Sequence, residues 1–555
     1  MMRNSAEARK PLCLPLLDER MLIIRLPDGR LMGNLMRTVD GVQEAAARYS
    51  EDNGLTWSEA ETLLQLPAHG GEWLGLEGLL DREAELHLFF LKYADADTED
   101  SANSDDILHG YLGGYNGKRL DIWHAKSDSG RDDWQAPEMI WKGYTGALNS
   151  VIQMTNGRIL LPFSEQAPPR SFGGGGEDLA AFTHTGSFQS TALYCDDGGE
   201  TWQLSPSSLS VQVPSFVHSY GADEPVVIEL KDGRVWMLMR TQQGRFYESF
   251  SADGATWSQP QATSIISSDS PAGMVRLDDG RIVLFCNVCQ RFPYAYGGRH
   301  VLHAAISNDE GKSWRGYREV ARDPKRNQPP PPRGDFGTAY PFPTVANDGK
   351  VIYCTGQGAG RVLLMLLEPD WLLETSQQAD FSAEVDNWST FGTRGVEIAA
   401  HPDKPDARVL SIRKSDRDWP AAAVWNFPCG LQGRLGMRLM INRGFGGALI
   451  GLTDHFSTPF DVEDKVHNLF NLELAPSGEL FAGAALELGR WHELLLDWSH
   501  AKRQCRVIVD GCEVGVLPVL RETTGACYLR LRSTAEETDN AGFVVESVEV
   551  EVAPD

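Results

Sequence analysis

The segment Ser50–Trp57 reads SEDNGLTW, and a pattern close to S-x-D-x-G-x-T-W returns four more times along the chain. In such a pattern the Asp and hydroxyl side chains hydrogen-bond a turning backbone, the Gly supplies a positive φ, and the Trp packs beneath the turn. The copies lie about 55 to 77 residues apart, and a long, recurring period indicates a repeat architecture. The other copies are Ser127–Trp134 (SDSGRDDW), Cys195–Trp202 (CDDGGETW), Ser251–Trp257 (SADGATW) and Ser307–Trp314 (SNDEGKSW).

A second recurrent element is an apolar run that contains an Asn-Gly or Asp-Gly pair, which predicts a β-hairpin. One hairpin and one Trp signature together supply about four short antiparallel strands, the content of one propeller blade. Counted together, they predict six blades over roughly residues 11–373, with seven as the alternative. We expect the N-terminal segment Leu12–Ile24 to close the ring by adding a strand to the last blade. The runs are Leu26–Leu35, Met154–Phe163, Leu230–Met239, Leu277–Cys286 and Ala346–Thr355.

The repeat stops near Leu372, and the remaining alternating segments predict a second all-β domain of sandwich size. We therefore expect residues 1–375 to form the propeller and catalytic domain, and residues 376–555 a β-sandwich. The string Leu488–Val514 resembles the laminin-G or concanavalin-like lectin family. That resemblance implies a jelly-roll sandwich that is structural or binds carbohydrate, in which Trp491 and His492 pack rather than bind a ligand.

Composition limits the classes of partner. The chain has 51 Lys and Arg against 77 Asp and Glu, a net charge of −26, which argues against nucleic acid or anionic membranes as general partners. No apolar run approaches the ~18 residues of a membrane span, and no secretory signal is recognisable. Nine cysteines in a chain of this size do not suggest a disulfide framework. We expect a cytoplasmic protein with no metal site and no cofactor.

The signatures, the hairpins and the segment from Asp223 to Trp257 together resemble the sialidase superfamily, whose members are glycoside hydrolases. In that family a glutamate and a following arginine bracket a hairpin of a central blade, as they do in DEPVVIELKDGRVWMLMR at Asp223–Arg240. The resemblance implies that Glu224 is the base that polarises a tyrosine hydroxyl. It also implies that Arg240 belongs to an arginine triad that grips the substrate carboxylate.

The same resemblance implies further site residues. Arg299 precedes a Trp signature, where the family places another triad arginine, and Tyr340 stands ahead of the last hairpin at the place of the nucleophilic tyrosine. Arg37 and Asp40, in NLMRTVDG, resemble the arginine and the acid/base aspartate of the first blade. From the residues alone, Asp40 before Gly41 can also be a simple turn former.

Arg20 is the candidate for the remaining triad arginine, although DERMLIIRL lacks the family's Arg-Ile-Pro. The glutamate that orients this arginine in the family should follow the last hairpin, where Cys354–Gly360 reads CTGQGAG without an acid. Both departures leave the identity of the sugar open. The predicted set is therefore catalytic Asp40, Glu224 and Tyr340, with substrate-binding Arg20, Arg37, Arg240 and Arg299.

The chemistry of this set is coherent without the family. Guanidinium groups hold a carboxylate by paired, charge-assisted hydrogen bonds. A tyrosine whose proton is drawn off by a base attacks an anionic sugar with less repulsion than a carboxylate nucleophile would meet. Asp40 would protonate the leaving oxygen and then deprotonate the incoming water.

Three functions follow from the sequence. The first is an exo-acting glycoside hydrolase that removes a terminal acidic or otherwise unusual sugar from an oligosaccharide or glycoconjugate. The second is a propeller-type lyase or hydrolase of glycans that contain uronic acid or rhamnose, with a His or Tyr base in the lyase. The third is a non-catalytic carbohydrate-binding propeller. The sequence leaves the oligomeric state open.

Overall fold

The structure is a computed structural model, and its chain is almost entirely β. Among the described residues, no helix has the length and apolar character needed to cross a bilayer. Three one-turn 3₁₀ helices occur, at Pro369–Leu373, Val385–Asn387 and Asp464–Val466. The described residues are 10–15, 20–68, 70–96, 107–112, 117–128, 133–167, 188–211, 221–289, 298–328, 336–382, 385–390, 392–461 and 464–553.

The chain divides into two compact units. The first comprises residues 1–287, 307–313 and 338–369, and the second comprises 288–306, 314–337 and 370–555. The domain boundary expected at residue 375 stays a prediction.

The first unit is built from short antiparallel strands in groups of four. Strand β1 (Leu12–Leu14) is followed by β2–β5 (Leu22–Arg25, Leu31–Val39, Val42–Ser50, Glu61–Gln65) and β6–β9 (Glu72–Leu80, Leu86–Asp95, Lys118–Lys126, Glu138–Trp141). Next come β10–β13 (Ile152–Gln153, Ile159–Gln166, Phe188–Cys195, Gln203–Leu204), β14–β17 (Asp223–Glu229, Val235–Arg240, Arg245–Ser251, Gln261–Ile266) and the hairpin β18–β19 (Gly273–Arg276, Ile282–Cys286). Strands β20 (Val301–Ser307) and β21 (Arg315–Arg322) come next in the chain and belong almost entirely to the second unit. The last group of the first unit is β22–β24 (Phe342–Val345, Val351–Thr355, Leu363–Leu367).

The ring closes as the sequence predicts. Strand β1 pairs with β24, with Cys13 opposite Met365, so that residues from both ends of the unit share one blade. The innermost strands β14, β18, β22, β2 and β6 touch one another in that succession. The five complete four-stranded sheets and the β18–β19 hairpin confirm the all-β, propeller-type fold and are consistent with six blades. Of the segment Leu12–Ile24, the part that donates the closing strand is Leu12–Leu14.

The Trp signature forms the turn between the third and fourth strands of a blade. In its first copy, Ser50 Oγ donates to Asp52 Oδ1 at 2.8 Å and accepts the Gly54 N–H at 2.8 Å, while the Thr56 N–H donates to the same Asp52 oxygen. Gly54 has φ +90°, and a Cβ there would lie 2.2 Å from Ile352 Cδ1 of the last blade. Both the backbone angle and the close approach of the next blade require glycine at this turn.

The second unit contains a β-sandwich whose two sheets enclose one apolar core. Its strands are β25–β39, at Ser376–Ala379, Trp388–Ser389, Val396–Ala400, Arg408–Ile412, Ala422–Gly430, Gln432–Ile441, Ala448–Thr453, Phe470–Leu474, Glu479–Phe481, Ala484–Ala485, Trp491–Ser499, Gln504–Val509, Cys512–Pro518, Ala526–Ser533 and Phe543–Val552. One sheet has the order β27-β28-β39-β30-β35-β36-β37, with β25 added beside β39, and the other has the order β26-β29-β38-β31-β32. Trp388 and Trp425 stack in the core with ring centroids 5.8 Å apart. The sandwich is observed, and the lectin-family resemblance stays a prediction.

A buried polar chain also belongs to the second unit. The Val288 N–H donates to His303 Nδ1, which leaves the proton on Nε2, and that nitrogen lies 2.5 Å from the Tyr528 hydroxyl. Tyr528 in turn donates to Glu319 Oε1 at 2.8 Å. Each donor therefore has an acceptor, as buried polar groups require. Burial, with the Glu319 charge, raises the pKa of Tyr528 well above its ordinary value.

Candidate active site

Three of the predicted residues meet inside the first unit. The Tyr340 hydroxyl donates to Glu224 Oε1 at 2.9 Å. Arg240 Nη1 lies 2.5 Å from Glu224 Oε2 and 3.3 Å from the Tyr340 oxygen. All three side chains are buried. The structure thus brings together a phenol, a carboxylate that can take its proton, and a guanidinium that neutralises the carboxylate.

Strand geometry places these groups. Glu224 lies on the innermost strand β14, and the β14–β15 register sets Asp223 opposite Arg240, with a bulge between Asp223 and Val226. Tyr340 lies two residues before β22, the innermost strand of the last blade. A hairpin therefore supplies the acid and the arginine, and closure of the ring supplies the tyrosine.

Glu224 and Tyr340 also share an unusual backbone. Their φ angles are +41° and +60°, and each stands directly before a proline. A left-handed conformation in a residue other than glycine costs on the order of 1–3 kcal/mol and is concentrated at functional sites. Two such residues, hydrogen-bonded to each other, indicate that the fold maintains this pair against local strain.

Asp269 is a member of the cluster that the sequence did not single out. Arg240 Nε donates to Asp269 Oδ1 at 2.6 Å, and Gln242 Nε2 donates to the other oxygen at 3.0 Å. Burial opposes the charge of Arg240, but the carboxylates around it, Glu224 foremost, outweigh burial and raise its pKa. Asp269 lies in the plain polar segment SSDS, which carries no motif, so only the fold reveals it.

Asp223 is a second buried acid beside Glu224. Its Oδ1 accepts from Ser164 Oγ at 2.5 Å and from the Glu224 N–H at 2.9 Å. Burial, followed by the charge of Glu224, raises the pKa of Asp223 above its ordinary value. A Cβ on Gly146 would lie 2.6 Å from the same oxygen, so the backbone packs directly on this carboxyl and shields it from water.

Arg20 also belongs to the site. Its Nη2 donates to the Tyr340 carbonyl at 2.7 Å, and its guanidinium carbon lies 4.5 Å from the centroid of the Phe342 ring. The side chain is half-buried. Its position beside Tyr340 supports Arg20 as a substrate-binding candidate despite the missing Arg-Ile-Pro.

A cavity of about 550 Å³ opens beside Arg20 and Tyr340. Its polar lining comes from Arg20, Asn34, Tyr340 and Gln357. The rest of the lining is mainly apolar, from Met21, Leu22, Leu35, Met36, Leu76, Leu91, Ala147, Leu148 and Phe342, with Gly75. The cavity therefore offers one cationic corner, next to the phenol, and a largely apolar wall.

Arg37 and Asp40 are placed differently from these residues. Arg37 donates through Nε to Glu44 at 2.6 Å and also bonds the Ala60 carbonyl and Thr62, all on its own blade. Asp40 is exposed, and with φ +49° it forms the two-residue β3–β4 turn together with Gly41. Neither is among the described residues that line the cavity, and their roles in substrate binding and acid/base catalysis stay predictions.

Arg299 lies in the second unit and is fully buried. Gly337 of the same unit packs against it, since a Cβ there would lie 2.0 Å from the Arg299 carbonyl oxygen. Its role as a triad arginine stays a prediction.

Glu77 is another residue that sequence reasoning missed. It is buried on β6, directly after the cavity-lining Gly75 and Leu76, and its Oε1 accepts the Gly78 N–H at 2.9 Å. Its Oε2 is buried without a hydrogen-bond partner among the described residues. Burial raises the pKa of Glu77 to about 8, although the Gly78 N–H and the charge of Arg20 act in the opposite direction. The signal in the sequence was a lone acid in the apolar run WLGLEGLL.

Residues 120–353 match the sequence model of the BNR repeat-like domain family. This part of the chain is similar to BNR repeat-like domains, and the match covers less than half of the chain. A curated relative, the sialidase of Micromonospora viridifaciens, is 23% identical over 328 residues, which are 52% of this chain and 44% of that protein. The chain thus spans less than half the length of that relative.

Solved structures similar to the chain include the Trypanosoma rangeli sialidase in complex with sialic acid, at 13% identity and a TM-score of 0.41, covering 98% of this chain and 94% of that one. A Dyadobacter fermentans protein of unknown function is 17% identical with a TM-score of 0.44, covering 65% of this chain and 98% of its own.

The raised pKa of Glu77 predicts a pH-dependent stability. Between the ordinary value of 4.5 and about 8, the unfolded chain releases the Glu77 proton while the folded chain keeps it, so the native protein loses stability as pH rises through this window. Glu77→Gln removes this loss. The melting temperature of Glu77→Gln minus that of the native protein should therefore increase steadily between about pH 5 and pH 8.

The matched control is Glu72→Gln, an exposed acid on the same strand, whose difference from the native protein should not change over this window. If the melting-temperature difference between Glu77→Gln and the native protein also stays constant over this pH window, Glu77 ionises normally in the folded protein.

Proposed function

We propose that this protein is a sialidase-like exo-glycoside hydrolase that removes a terminal, carboxylate-bearing sugar from an oligosaccharide or glycoconjugate. The observation that carries the proposal is the hydrogen bond from Tyr340 to Glu224, with Arg240 on the same carboxylate. A phenol attacks only when its proton is drawn off, and the acceptor is already within bonding distance. The expected cytoplasmic location is part of the same proposal.

In the proposed reaction the Tyr340 oxygen bonds to the anomeric carbon as its proton passes to Glu224, and the glycosidic oxygen leaves with a proton from an acid. Asp40 is the acid predicted from the sequence. Water then attacks the glycosyl-tyrosine, giving its proton to that acid, and the phenol recovers its proton from Glu224. Arg240 contributes by holding the base in place and by stabilising the phenolate oxygen, 3.3 Å away.

The two arginines of the site, Arg240 and Arg20, have different partners, and we assign them different roles. Arg240 is engaged by Glu224 and Asp269, so its charge is already compensated inside the protein. Arg20 makes one hydrogen bond among the described residues, through Nη2, and it lines the cavity. Arg20 is therefore the better candidate to bind the substrate carboxylate, through its remaining N–H groups.

Lyase chemistry is the second candidate function, because a tyrosine beside a cation also suits removal of the C5 proton of a uronic acid. A lyase that uses a histidine as the base has weaker support from the described residues. His109 is exposed, and His124 is buried against His87 with ring nitrogens 3.0 Å apart. The other histidines in inter-strand segments, His69, His184 and His218, lie outside the described residues.

Substitution of Tyr340 or of Glu224 should greatly reduce the rate of turnover. We expect Tyr340→Phe and Glu224→Gln each to lower kcat/KM by about 10²–10⁴-fold, the range that a nucleophile's base contributes. The native protein and both variants are incubated with sialosides, uronosides and rhamnosyl-uronosides. Released sugar and the ultraviolet absorbance of a new alkene are measured. Tyr194→Phe, on a strand of another blade, is the matched control and should retain full activity.

Release of sugar without alkene absorbance supports the hydrolase, and alkene absorbance identifies the lyase. Unchanged turnover in both folded variants would move the reaction away from this pair. Binding of these glycans without turnover in the native protein would indicate the non-catalytic propeller.

Arg20 should confer selectivity for the substrate charge. Loss of a charge-assisted hydrogen bond costs about 1.5–3 kcal/mol, or roughly 10–150-fold. Arg20→Met should therefore raise KM for an acidic substrate by at least about tenfold, with little effect on its uncharged methyl ester. Arg234→Met, at an exposed arginine outside the predicted set, is the matched control. Equal losses for acid and ester in Arg20→Met would contradict a carboxylate-binding role.

A further inference from the structure

Three side chains converge at the turn between β6 and β7, at the far end of β6 from the cavity-lining Gly75. One oxygen each of Asp81 and Glu85 and Nε2 of His87 all lie within 4.8 Å of one another. The Asp81 and His87 side chains are buried, whereas the Glu85 side chain is 33% exposed. The cluster is therefore enclosed on most sides and reachable from solvent past Glu85.

We propose that Asp81, Glu85 and His87 bind a divalent first-row transition ion, with zinc as the reference ion and water completing the coordination. The distance between His87 Nε2 and Asp81 Oδ2 is 3.4 Å. That is long for a charge-assisted hydrogen bond, which is usually about 2.7–2.9 Å. It equals the edge of a tetrahedron whose ligands lie about 2.0–2.1 Å from a central zinc.

The groups behind the ligands orient them for this task. His87 Nδ1 lies 3.0 Å from His124 Nε2, and the two rings stack with centroids 5.2 Å apart. Asp81 Oδ1 accepts the Glu85 N–H at 2.8 Å, which fixes the carboxylate and directs Oδ2 toward His87. Such outer hydrogen bonds on the distal nitrogen of a histidine and on a carboxylate are regular features of metal sites.

A backbone contact closes the histidine side of the cluster. Gly199, in the turn of the third Trp signature, packs so closely that a Cβ would lie 2.9 Å from His87 Cε1 and 3.0 Å from His124 Cε1. The imidazoles are thus held between two turns of the same unit. A ligand set whose rotamers are locked in this way loses little entropy when an ion binds.

The charge balance also favours a cation. Two carboxylates and one imidazole face the cluster, and Lys126 is a positive group paired with one of them, its Nζ lying 3.6 Å from Glu85 Oε2. That ammonium also bonds Glu200 at 2.5 Å and the Gly198 carbonyl at 3.1 Å, so Glu85 is only one of the groups that share its charge. An imidazole with two carboxylates suits zinc or a similar transition ion better than magnesium or calcium, which prefer oxygen ligands alone.

This site was not predicted from the sequence, because its ligands span seven residues of one hairpin in a spacing that matches no standard metal motif. Gly75 and Asp81 are six positions apart in the chain, and six steps of extended strand span about 20 Å. The ion would therefore stabilise the second blade rather than take part in the reaction at Tyr340.

The test uses the full chain after treatment with EDTA. Titration with Zn²⁺ by calorimetry, and with Co²⁺ by visible absorption, should show one high-affinity equivalent and a melting temperature that rises with Zn²⁺. Glu85→Gln should weaken Zn²⁺ binding more than about tenfold, because it removes a ligand rather than an outer partner. Glu83→Gln, an exposed acid of the same turn, is the matched control and should bind as the native protein does.

His87→Gln provides an independent second variant, and the apo forms of all variants are compared by melting temperature before titration. Zinc affinity equal to that of the native protein in both Glu85→Gln and His87→Gln would place the ion elsewhere and overturn the proposal. Absence of a high-affinity equivalent in the native protein would overturn it as well. Neither outcome would affect the proposed hydrolase, because that activity depends on Tyr340 and Glu224.

Discussion

The buried pairing of Glu224 with Arg240 in the interior of the propeller is the constraint on which the candidate site depends. A buried charge is costly unless it is paired and hydrogen-bonded. Arg240 provides the opposite charge and Tyr340 the hydrogen bond, and Asp269 holds the arginine from its other side. Removing any one of these groups leaves another without its partner, so the four residues act as a unit.

The repeat explains how residues so far apart in sequence meet. The innermost strands β14, β18, β22, β2 and β6 touch one another in that succession. Glu224 lies at the start of β14, and Tyr340 lies two residues before β22. The two residues are 116 positions apart in the chain. Pairing of β1 with β24 holds the last blade in place, so ring closure supports the geometry of the tyrosine.

The sequence was most informative where function follows from local pattern. The hairpin between Glu224 and Arg240 was recognisable because its strands alternate around an Asp-Gly pair, and strand register alone sets the two ends side by side. Tyr340 was placed by resemblance and by its position before the last hairpin. The blades were predicted from their turn chemistry, which is set within a few residues.

Residues whose role depends on packing escaped the sequence. Asp269 has no motif, and its importance arises from Arg240 lying against it. Glu77 cannot be told from other acids in the sequence, because its raised pKa results from burial in the folded chain. Arg37 was proposed from the resemblance alone. The sequence did not show that its side chain bonds Glu44 and Thr62 of its own blade, and its role in substrate binding stays a prediction.

The most direct test of a tyrosine nucleophile is to trap the glycosyl-enzyme. Incubation with fluorinated sugar acids that carry a fluoride leaving group, drawn from the acidic sugars that the protein hydrolyses, is followed by peptide mass mapping. Attack by the Tyr340 oxygen expels fluoride and leaves the sugar on the protein. The account predicts one sugar per chain on the peptide containing Tyr340, and none in Tyr340→Phe. A label on Glu224 or Glu77 would contradict it, as would inactivation without any covalent label.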